Sequence, residues 1–317
     1  MATVTTPAKT ARTGAEIVRG RRSDVRGAVV TALLLLALLL GLLSLIALTV
    51  TLLTDGWSVL SERGGQFLST GLNSNPAVAG VWQGVRGTIT LAIIVAIVAF
   101  PLGVGCAVWL EQYATDNWFA RAVSINIRNL AGVPSIVYGL LGLSVFVYLL
   151  GADGRGGITG GRTVISGGLT LAVLVLPIVI ITSQEALRAV PQGIEEGALA
   201  LGATRWETIR HHLLPNSLPG ILTGTVLSLA RAAGEAAPLL VVGAVTGVFF
   251  VGAQGFFEQI FSGRFTAMPM IIFSWARLPA GQGWAANAAA AGFVLLLLVI
   301  LVNAVAIYFR NRFERKW

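Results

Sequence analysis

Several apolar stretches of this 317-residue chain contain no charged residue and are long enough to cross a membrane. A helix needs about 20 apolar residues to span the hydrocarbon layer of a bilayer. The stretches include residues 27–54, 87–110, 129–152, 163–184 and 278–309, whereas the uncharged window 64–85 is rich in Gly, Asn, Ser and Gln and is predicted to be a loop. The composition agrees, since 11% of the residues are charged, whereas soluble domains carry about 25%. The sequence therefore predicts an all-α, multi-pass membrane protein surrounded by lipid.

A further apolar tract, residues 216–257, is interrupted by Arg231, Glu235 and Pro238. It could hold one span and a shorter element, or two spans. Both ends of the chain are basic, and basic flanks favour the cytoplasmic side, so an even number of spans is expected. We predict six spans, at about 27–53, 84–110, 129–150, 165–187, 216–242 and 287–309. The tract after Pro238 is then an outer re-entrant or interfacial segment.

Basic residues are concentrated at the two ends of the chain, in residues 1–26 and 310–317. Because they adjoin apolar runs, the net charge of +8 indicates membrane orientation, and no nucleic-acid partner is expected. We predict a cytoplasmic tail over 1–26, a transmembrane domain over 27–317, and both termini in the cytoplasm. A cleaved signal peptide is the alternative for the first span, but the apolar run there is longer than the usual 7–15 residues.

The chain lacks the residues for several kinds of catalytic site. Its lysines, Lys9 and Lys316, do not follow a glycine, which excludes a GxxxxGK[ST] phosphate-binding loop. Its histidines, His211 and His212, are adjacent and point to different sides of a helix, which argues against a two-histidine metal site. The single cysteine, Cys106, forms no intrachain disulfide. We expect no catalytic residue, metal or cofactor in this chain, and any ATP hydrolysis on a partner.

The polar segment 188–215 lies between the fourth and fifth predicted spans. Pro191 suits the first turn of a helix, and Gly202 permits a turn. Apolar residues recur at helical spacing on both sides of that turn, as Ile194, Ala198 and Leu201 and as Trp206, Ile209 and Leu213. We predict two short helices at an angle. The pattern leaves open docking in a groove of a soluble partner and an interfacial position on lipid headgroups.

One run in this segment resembles the EAA loop of ABC-importer permeases, which is E-A-A-x3-G-x9-I-x-L-P. The run is Glu196-Gly-Ala198-x3-Gly202-x11-Leu214-Pro215. Gly197 replaces the first alanine of the family motif, and His212 replaces the isoleucine. The resemblance implies that the loop at 190–215 docks on an ATP-hydrolysing subunit. The residues it implicates in docking are Glu196, Ala198, Gly202, Ala203, Leu214 and Pro215.

Longer stretches resemble the permease subunits of bacterial phosphate importers, a MetI-like ABC permease family. They are PLGVGCAVWLEQYA at 101–114, NLAGVPSIVYGLLGLSVFV at 129–147, SGGLTLAVLVLPIVIITSQEALRAVPQ at 166–192, RAAGEAAPLL at 231–240 and FTAMPMIIFSWA at 265–276. The resemblance implies a MetI-like permease fold with six transmembrane helices in a bacterial plasma membrane. It also implies a sister permease subunit, an ATPase dimer that binds ATP and Mg, and an extracytoplasmic phosphate-binding protein.

Arg231 and Glu235 are charged residues within an apolar tract. A charge at the centre of a bilayer costs about 2.5–3.5 kcal/mol on insertion scales, and residues four apart on a helix can pair. Three interpretations remain open: a structural ion pair, a transient site for an oxyanion on a substrate path, and a gate. The planar fork of arginine suits phosphate. With the resemblance added, a place on the path or gate is favoured over structural pairing alone.

Weaker candidates for the path lie in the third predicted span. Ser135 and Tyr138 share a face there, and Asn129 is the third polar group. Hydrogen bonding between helices also explains such residues, and this interpretation is preferred over a place on the path. Trp275 and Trp284 fit an aromatic belt at the outer membrane surface.

Taken with the resemblance, the sequence predicts the transmembrane subunit of an ATP-driven phosphate importer. A permease for another oxyanion, such as sulfate or molybdate, is the alternative in the same class. A self-contained channel or secondary transporter is the alternative from a different class. Uptake with competing anions distinguishes a phosphate permease from a permease for another oxyanion. Flux without an ATPase distinguishes a self-contained channel or secondary transporter from an ATP-driven importer.

Overall fold

The computed structural model describes residues 25–114, 117–151, 157–245, 263–279 and 281–313. The chain divides into two compact units, residues 1–51 and 52–317. The predicted basic tail lies outside the described residues up to position 24. The described part of the first unit is helical and rich in leucine, and its large apolar side chains are exposed on every side. A helix that is apolar all round suits lipid rather than water.

The described residues form ten helices. They are α1 (Val25–Ser69), α2 (Trp82–Tyr113), α3 (Trp118–Ala131), α4 (Ser135–Leu149), α5 (Val164–Arg188), α6 (Gln192–Ala200), α7 (Arg205–Gly234), α8 (Ala237–Val242), α9 (Met268–Ala276) and α10 (Trp284–Phe313). Helices α1, α2, α5, α7 and α10 are long and apolar enough to cross a membrane, and α3 with α4 forms a sixth candidate bent by 105°. The predicted all-α, multi-pass architecture is therefore confirmed.

Helix α5 lies at the centre of the second unit, between α2 and α7. Glycines allow the backbones to approach. A Cβ on Gly103 of α2 would lie 2.6 Å from Val179 of α5. Gly220 and Gly224 of α7 face Ala186 and Thr182 of α5 in the same way. The small residues on α7 thus serve packing within the chain, which buries most of α5.

The first and third predicted spans differ from the structure at their boundaries. Helical structure continues to Ser69 across a kink at Arg63, whose backbone is not helical (φ −142°, ψ 26°), so the predicted loop at 64–85 begins only after Ser69. The third span begins at Ser135, and Asn129 lies on α3 before the bend. Pro134 has an extended ψ of 137°. Because this extended residue separates α3 from α4, the apolar run 129–152 forms two helices at an angle of 105° rather than one straight helix.

The fifth predicted span begins earlier and ends earlier than expected. The helix starts at Arg205, within the predicted loop, and ends at Gly234. It passes through a π-helical turn, Ile209–Leu213, directly before Pro215. A proline lacks the N–H that an α-helix directs to the residue four positions earlier, and the wider turn lets the helix continue. The second of the two predicted short helices is therefore the start of a transmembrane helix.

The opposite end of the unit, away from residues 189–204, contains a cluster that the sequence did not predict. Trp275 of α9 and Trp284 of α10 are buried with ring centroids 5.5 Å apart, and Phe67 of α1 packs on Trp275. The predicted aromatic belt at these two tryptophans is wrong, because their rings pack inside the protein rather than against lipid. Residues 189–204 connect the end of α5 to the start of α7, and the C-terminal end of α2 lies beside them. We call this end of the unit the loop end.

Candidate functional site

The charged pair lies where α7 ends. Arg231 is in the last turn of the helix, whereas Glu235 is the residue after it, with extended backbone (φ −78°, ψ 117°). The prediction that one helix carries both residues is therefore wrong. Pro238 explains the break, because it cannot donate a hydrogen bond to the carbonyl of Gly234. It fits instead in the first turn of α8.

This break lies inside the helical bundle. Ala232 and Leu239, on its two sides, belong to one buried cluster with Leu91 of α2 and Leu171 of α5. At 1.5 Å per residue, those two partners lie about 14 Å and 11 Å from the ends of their helices. Non-helical backbone at membrane depth is tolerated only where it is buried in protein or lines a water-filled cavity. The break is therefore a place where a polar path can exist.

The pairing between the two charges is loose. Arg231 Nε donates to Glu235 Oε1 across 3.4 Å, while charge-assisted bonds of this type are usually 2.7–2.9 Å. The arginine side chain is 47% exposed and the glutamate 20%. A guanidinium has five N–H donors, and the described residues engage one of them. Arg231 can thus bind a further acceptor, such as an oxyanion, without losing its counter-ion.

Tyr138 lies near this pair. Its side chain is buried, and its hydroxyl donates to the carbonyl of Leu130 at 2.8 Å, which closes the bend between α3 and α4. The charge of Arg231 acts on the phenol. Ser135, the first residue of α4, is half-buried one turn earlier. The structure thus places Tyr138 within electrostatic range of Arg231, and its hydroxyl serves the bend between α3 and α4.

Helix α4 packs directly on α8. A Cβ on Gly139 would lie 2.8 Å from the Cα of Pro238 and 3.0 Å from the Cβ of Val241. Gly243 ends α8 with a left-handed backbone (φ 103°). Helix α4, which follows the bend in the third span, therefore supports α8, which follows the break at the end of α7. Sequence reasoning missed Gly139, since a glycine in an apolar helix gives no signal of the neighbour that requires it.

The corner between α6 and α7 has a defined geometry, and Gly202 makes the turn as predicted (φ 89°). Gly202 N donates to the Leu199 carbonyl and Ala203 N to the Ala198 carbonyl, at 3.0 Å and 3.1 Å. These two bonds form a Schellman motif. Thr204 then begins α7 with a capping box. The corner is therefore rigid on both sides of the turn.

The residues of this corner differ in exposure. Glu196 and Gly202 are exposed, Ala203 is half-buried, and Ala198 is buried. Leu214 and Pro215 are half-buried further along α7, away from the corner. Three large apolar side chains are exposed instead, Leu199, Leu201 and Trp206. Leu201 is 91% exposed although it continues the helical spacing of Ile194 and Ala198, because it follows the last residue of α6.

A search of the described residues finds no group of three or more His, Cys, Asp or Glu side chains that could hold a metal ion. The chemistry available near the helix break is therefore that of a guanidinium, a carboxylate and a phenol. These groups bind and orient an anion by charge and hydrogen bonds.

Comparison with known proteins places this geometry in a family. Residues 99–317 match the model of the family described as "Binding-protein-dependent transport system inner membrane component". The chain belongs to this family. Its relatives include "Phosphate transport system permease protein PstA 1" of Mycobacterium tuberculosis, 30% identical over 91% of this chain and 90% of that protein. "Phosphate transport system permease protein PstC" of Haemophilus influenzae is 34% identical over 63% and 69% of the two chains.

The fold of this inner membrane component also resembles that of solved ABC transporters. A chain of a bacterial alginate ABC transporter, solved in complex with an alginate-bound periplasmic protein, superposes with a TM-score of 0.64. The match covers 93% of this chain and 98% of that one at 15% identity. The similarity confirms the ABC permease fold expected from the sequence.

Proposed function

We propose that this chain is the transmembrane permease subunit of an ATP-driven inorganic phosphate importer. The observation that carries the proposal is the half-exposed guanidinium of Arg231, at a helix break within the bundle. An arginine fork matches two phosphate oxygens. The relatives named as phosphate transport permeases support phosphate over sulfate or molybdate.

Arg231 would bind phosphate briefly as it passes. Glu235 would repel a fully ionised phosphate but accept hydrogen bonds from the protons of a partly protonated one. The loose 3.4 Å contact supports this role, because the guanidinium can turn from carboxylate to substrate at small cost. Tyr138 and Ser135 would border the same path, on the α4 side. A sister permease subunit would supply the other wall.

The loop end would face the cytoplasm, as would both termini. The exposed corner then suits docking on an ATPase dimer that binds ATP and Mg, with Glu196, Ala198, Gly202 and Ala203 nearest the contact. Exposed Leu199, Leu201 and Trp206 support such a contact, since exposed apolar patches mark sites of protein–protein contact. Leu214 and Pro215 would act within α7. An extracytoplasmic phosphate-binding protein would deliver the substrate to the opposite end.

Helix α7 connects the two parts of the site. Its 30 residues run from the docking corner to the helix break, about 45 Å at 1.5 Å per residue. Movement of the corner would therefore shift the segment that holds Arg231. Two discrete arrangements of this helix, driven by ATP on the partner, would open the path alternately.

Reconstitution in vesicles tests this function. The full assembly contains the ATPase, the sister permease and the binding protein. It should take up labelled phosphate only when ATP is present on the side of the membrane where the ATPase is bound. Unlabelled phosphate should compete, and sulfate and molybdate should not. Robust phosphate flux through this chain alone would contradict the importer function, and competition by sulfate or molybdate would contradict the substrate.

A further inference from the structure

One short turn of α2 holds both ends of the loop between α5 and α7. Arg188, the last residue of α5, donates from Nε and Nη2 to the two carboxylate oxygens of Glu111, both at 2.8 Å. Gln184 donates to the same carboxylate at 2.7 Å. Arg205, the first residue of α7, donates to the carbonyl of Gln112 at 2.7 Å. Neighbouring residues of α2 therefore contact the chain just before and just after residues 189–204.

The turn that makes these contacts is π-helical, Trp109–Tyr113. Such turns hold one more residue than an α-helical turn and are often found at functional sites. Glu111 is 13% exposed and Arg188 is 50% exposed. The bidentate geometry of this ion pair fixes the direction of the Arg188 side chain as well as its distance from Glu111. The contact is thus suited to orienting the chain where the loop begins.

Apolar packing continues beneath these polar contacts. Val108 of α2, Leu187 of α5 and Ile209 and Leu213 of α7 belong to one buried cluster at the loop end. The three helices therefore meet as a packed unit directly below the polar contacts. Such packing resists bending, so a displacement of the loop is transmitted rather than absorbed.

The other end of this arrangement is the helix break. A small cavity there is lined by Thr88 and Leu91 of α2 and by Ala232 and Ala233 of α7. Both helices that meet the loop thus also border the segment after Arg231. If the loop displaced α7 without α2, the two helices would slide past each other beside the helix break.

We propose that Glu111 is a positioning residue that ties α2 to the loop 189–204, so that α2 and α7 move together when the loop moves. Arg188 and Gln184 contact Glu111 just before the loop, and Arg205 contacts the carbonyl of the neighbouring Gln112 just after it. This inference rests on the proposed function, because it assumes that an ATPase moves the loop. It assigns a coupling role to a carboxylate outside both the anion path and the docking corner.

The test uses the complete assembly in vesicles, with phosphate uptake and ATP hydrolysis measured together. We expect Glu111→Gln to keep the ATPase bound and hydrolysing, while phosphate taken up per ATP falls about tenfold, the factor for one lost charge-assisted hydrogen bond. Arg205→Gln removes the second tie and should lower the same ratio by a smaller factor. Arg205 is exposed, so this variant keeps the proposal testable if Glu111→Gln folds poorly.

Two controls lie on α5 and α7, the helices that carry Arg188 and Arg205. Glu185 acts on Arg188 electrostatically, but no hydrogen bond between their side chains is present in the described ranges, so Glu185→Gln should keep the wild-type ratio. Arg210, exposed on α7, is the control for Arg205. An unchanged ratio in both test variants, an equal loss in the controls, or loss of the bound ATPase overturns the proposal. Failure of the wild-type assembly to import phosphate would instead refute the function itself.

Discussion

The Nε atom of Arg231 lies 3.4 Å from Oε1 of Glu235, across the point where helix α7 ends. One residue of the pair is helical and the other is extended. The guanidinium also complements the partial negative charge at the C-terminus of the helix. Its position is thus set by the helix, while its contact with Glu235 remains weak enough to be exchanged for a substrate oxygen.

Substitutions at Arg231 should separate the effect of its positive charge on uptake from the effect of its planar, forked shape. Arg231→Lys keeps the charge but loses the planar fork, so we expect normal assembly and phosphate uptake reduced about tenfold, as for one charged hydrogen bond. Arg231→Gln should lower uptake further. Arg277→Gln is the control, since Arg277 stacks on Phe273 near the opposite end. Normal uptake by an assembled Arg231→Gln variant would exclude the path role.

The contact of α4 with α8 should be sensitive to one methyl group. Gly139→Ala places a Cβ 2.8 Å from the Cα of Pro238, and overpacking of this kind costs about 1–3 kcal/mol. We expect a lower thermal unfolding temperature in detergent and reduced uptake. Gly105→Ala on α2 is the control, because a Cβ there meets nothing within 4 Å. Equal unfolding temperatures for the two variants would show that α4 and α8 separate freely.

The docking corner should depend on the left-handed backbone of Gly202. Gly202→Ala forces a Cβ into that conformation at a cost of about 1–2 kcal/mol. The expected result is weaker co-purification of the ATPase, because the direction between α6 and α7 changes. Gly193→Ala lies on α6 with ordinary backbone and open space around it, and should bind the ATPase as the wild type does. Undiminished binding by the Gly202 variant would argue against a rigid corner.

Arg63 should be a major determinant of stability at the opposite end. It donates to the carbonyls of Ala79 and Pro76, at 2.9 Å and 2.6 Å, and to Asn287 Oδ1 at 2.6 Å. Arg63→Met removes the guanidinium that donates to these three oxygens. Each buried acceptor left unsatisfied costs about 1–3 kcal/mol of folding free energy. Calorimetry in detergent should show a clear loss of stability, while Glu62→Gln, an exposed neighbour, should change it by less than about 0.5 kcal/mol.

Much of the architecture could be predicted because apolar length and charge act locally. The long helices α2, α5 and α10 follow from charge-free runs, since unsatisfied backbone groups are excluded from lipid. The turn at Gly202 was predictable for a similar reason, because the glycine signal is local. Nothing local showed that α7 begins at Arg205, since its polar first turns resemble a loop.

The site was only partly visible in the sequence. Arg231 and Glu235 stand out in the sequence as charges in an apolar tract, but the sequence predicts a span that continues past Pro238, whereas the helix ends at Gly234. Glu111 gave no signal, because its partners Gln184 and Arg188 are distant in the chain and lie on another helix. Contacts of this kind depend on how the helices pack.

The sequence by itself determined that the chain crosses a membrane, that its long spans are helices, and that two opposite charges lie among apolar residues. Composition and short-range spacing carry this information, because lipid requires every backbone group to be bonded within its own segment. Only the tertiary structure decided that α7 breaks inside the bundle beside α2 and α5, and that one turn of α2 holds both ends of the loop. Those features arise from close packing between distant segments, where a glycine such as Gly139 or a carboxylate such as Glu111 has meaning only through its neighbour.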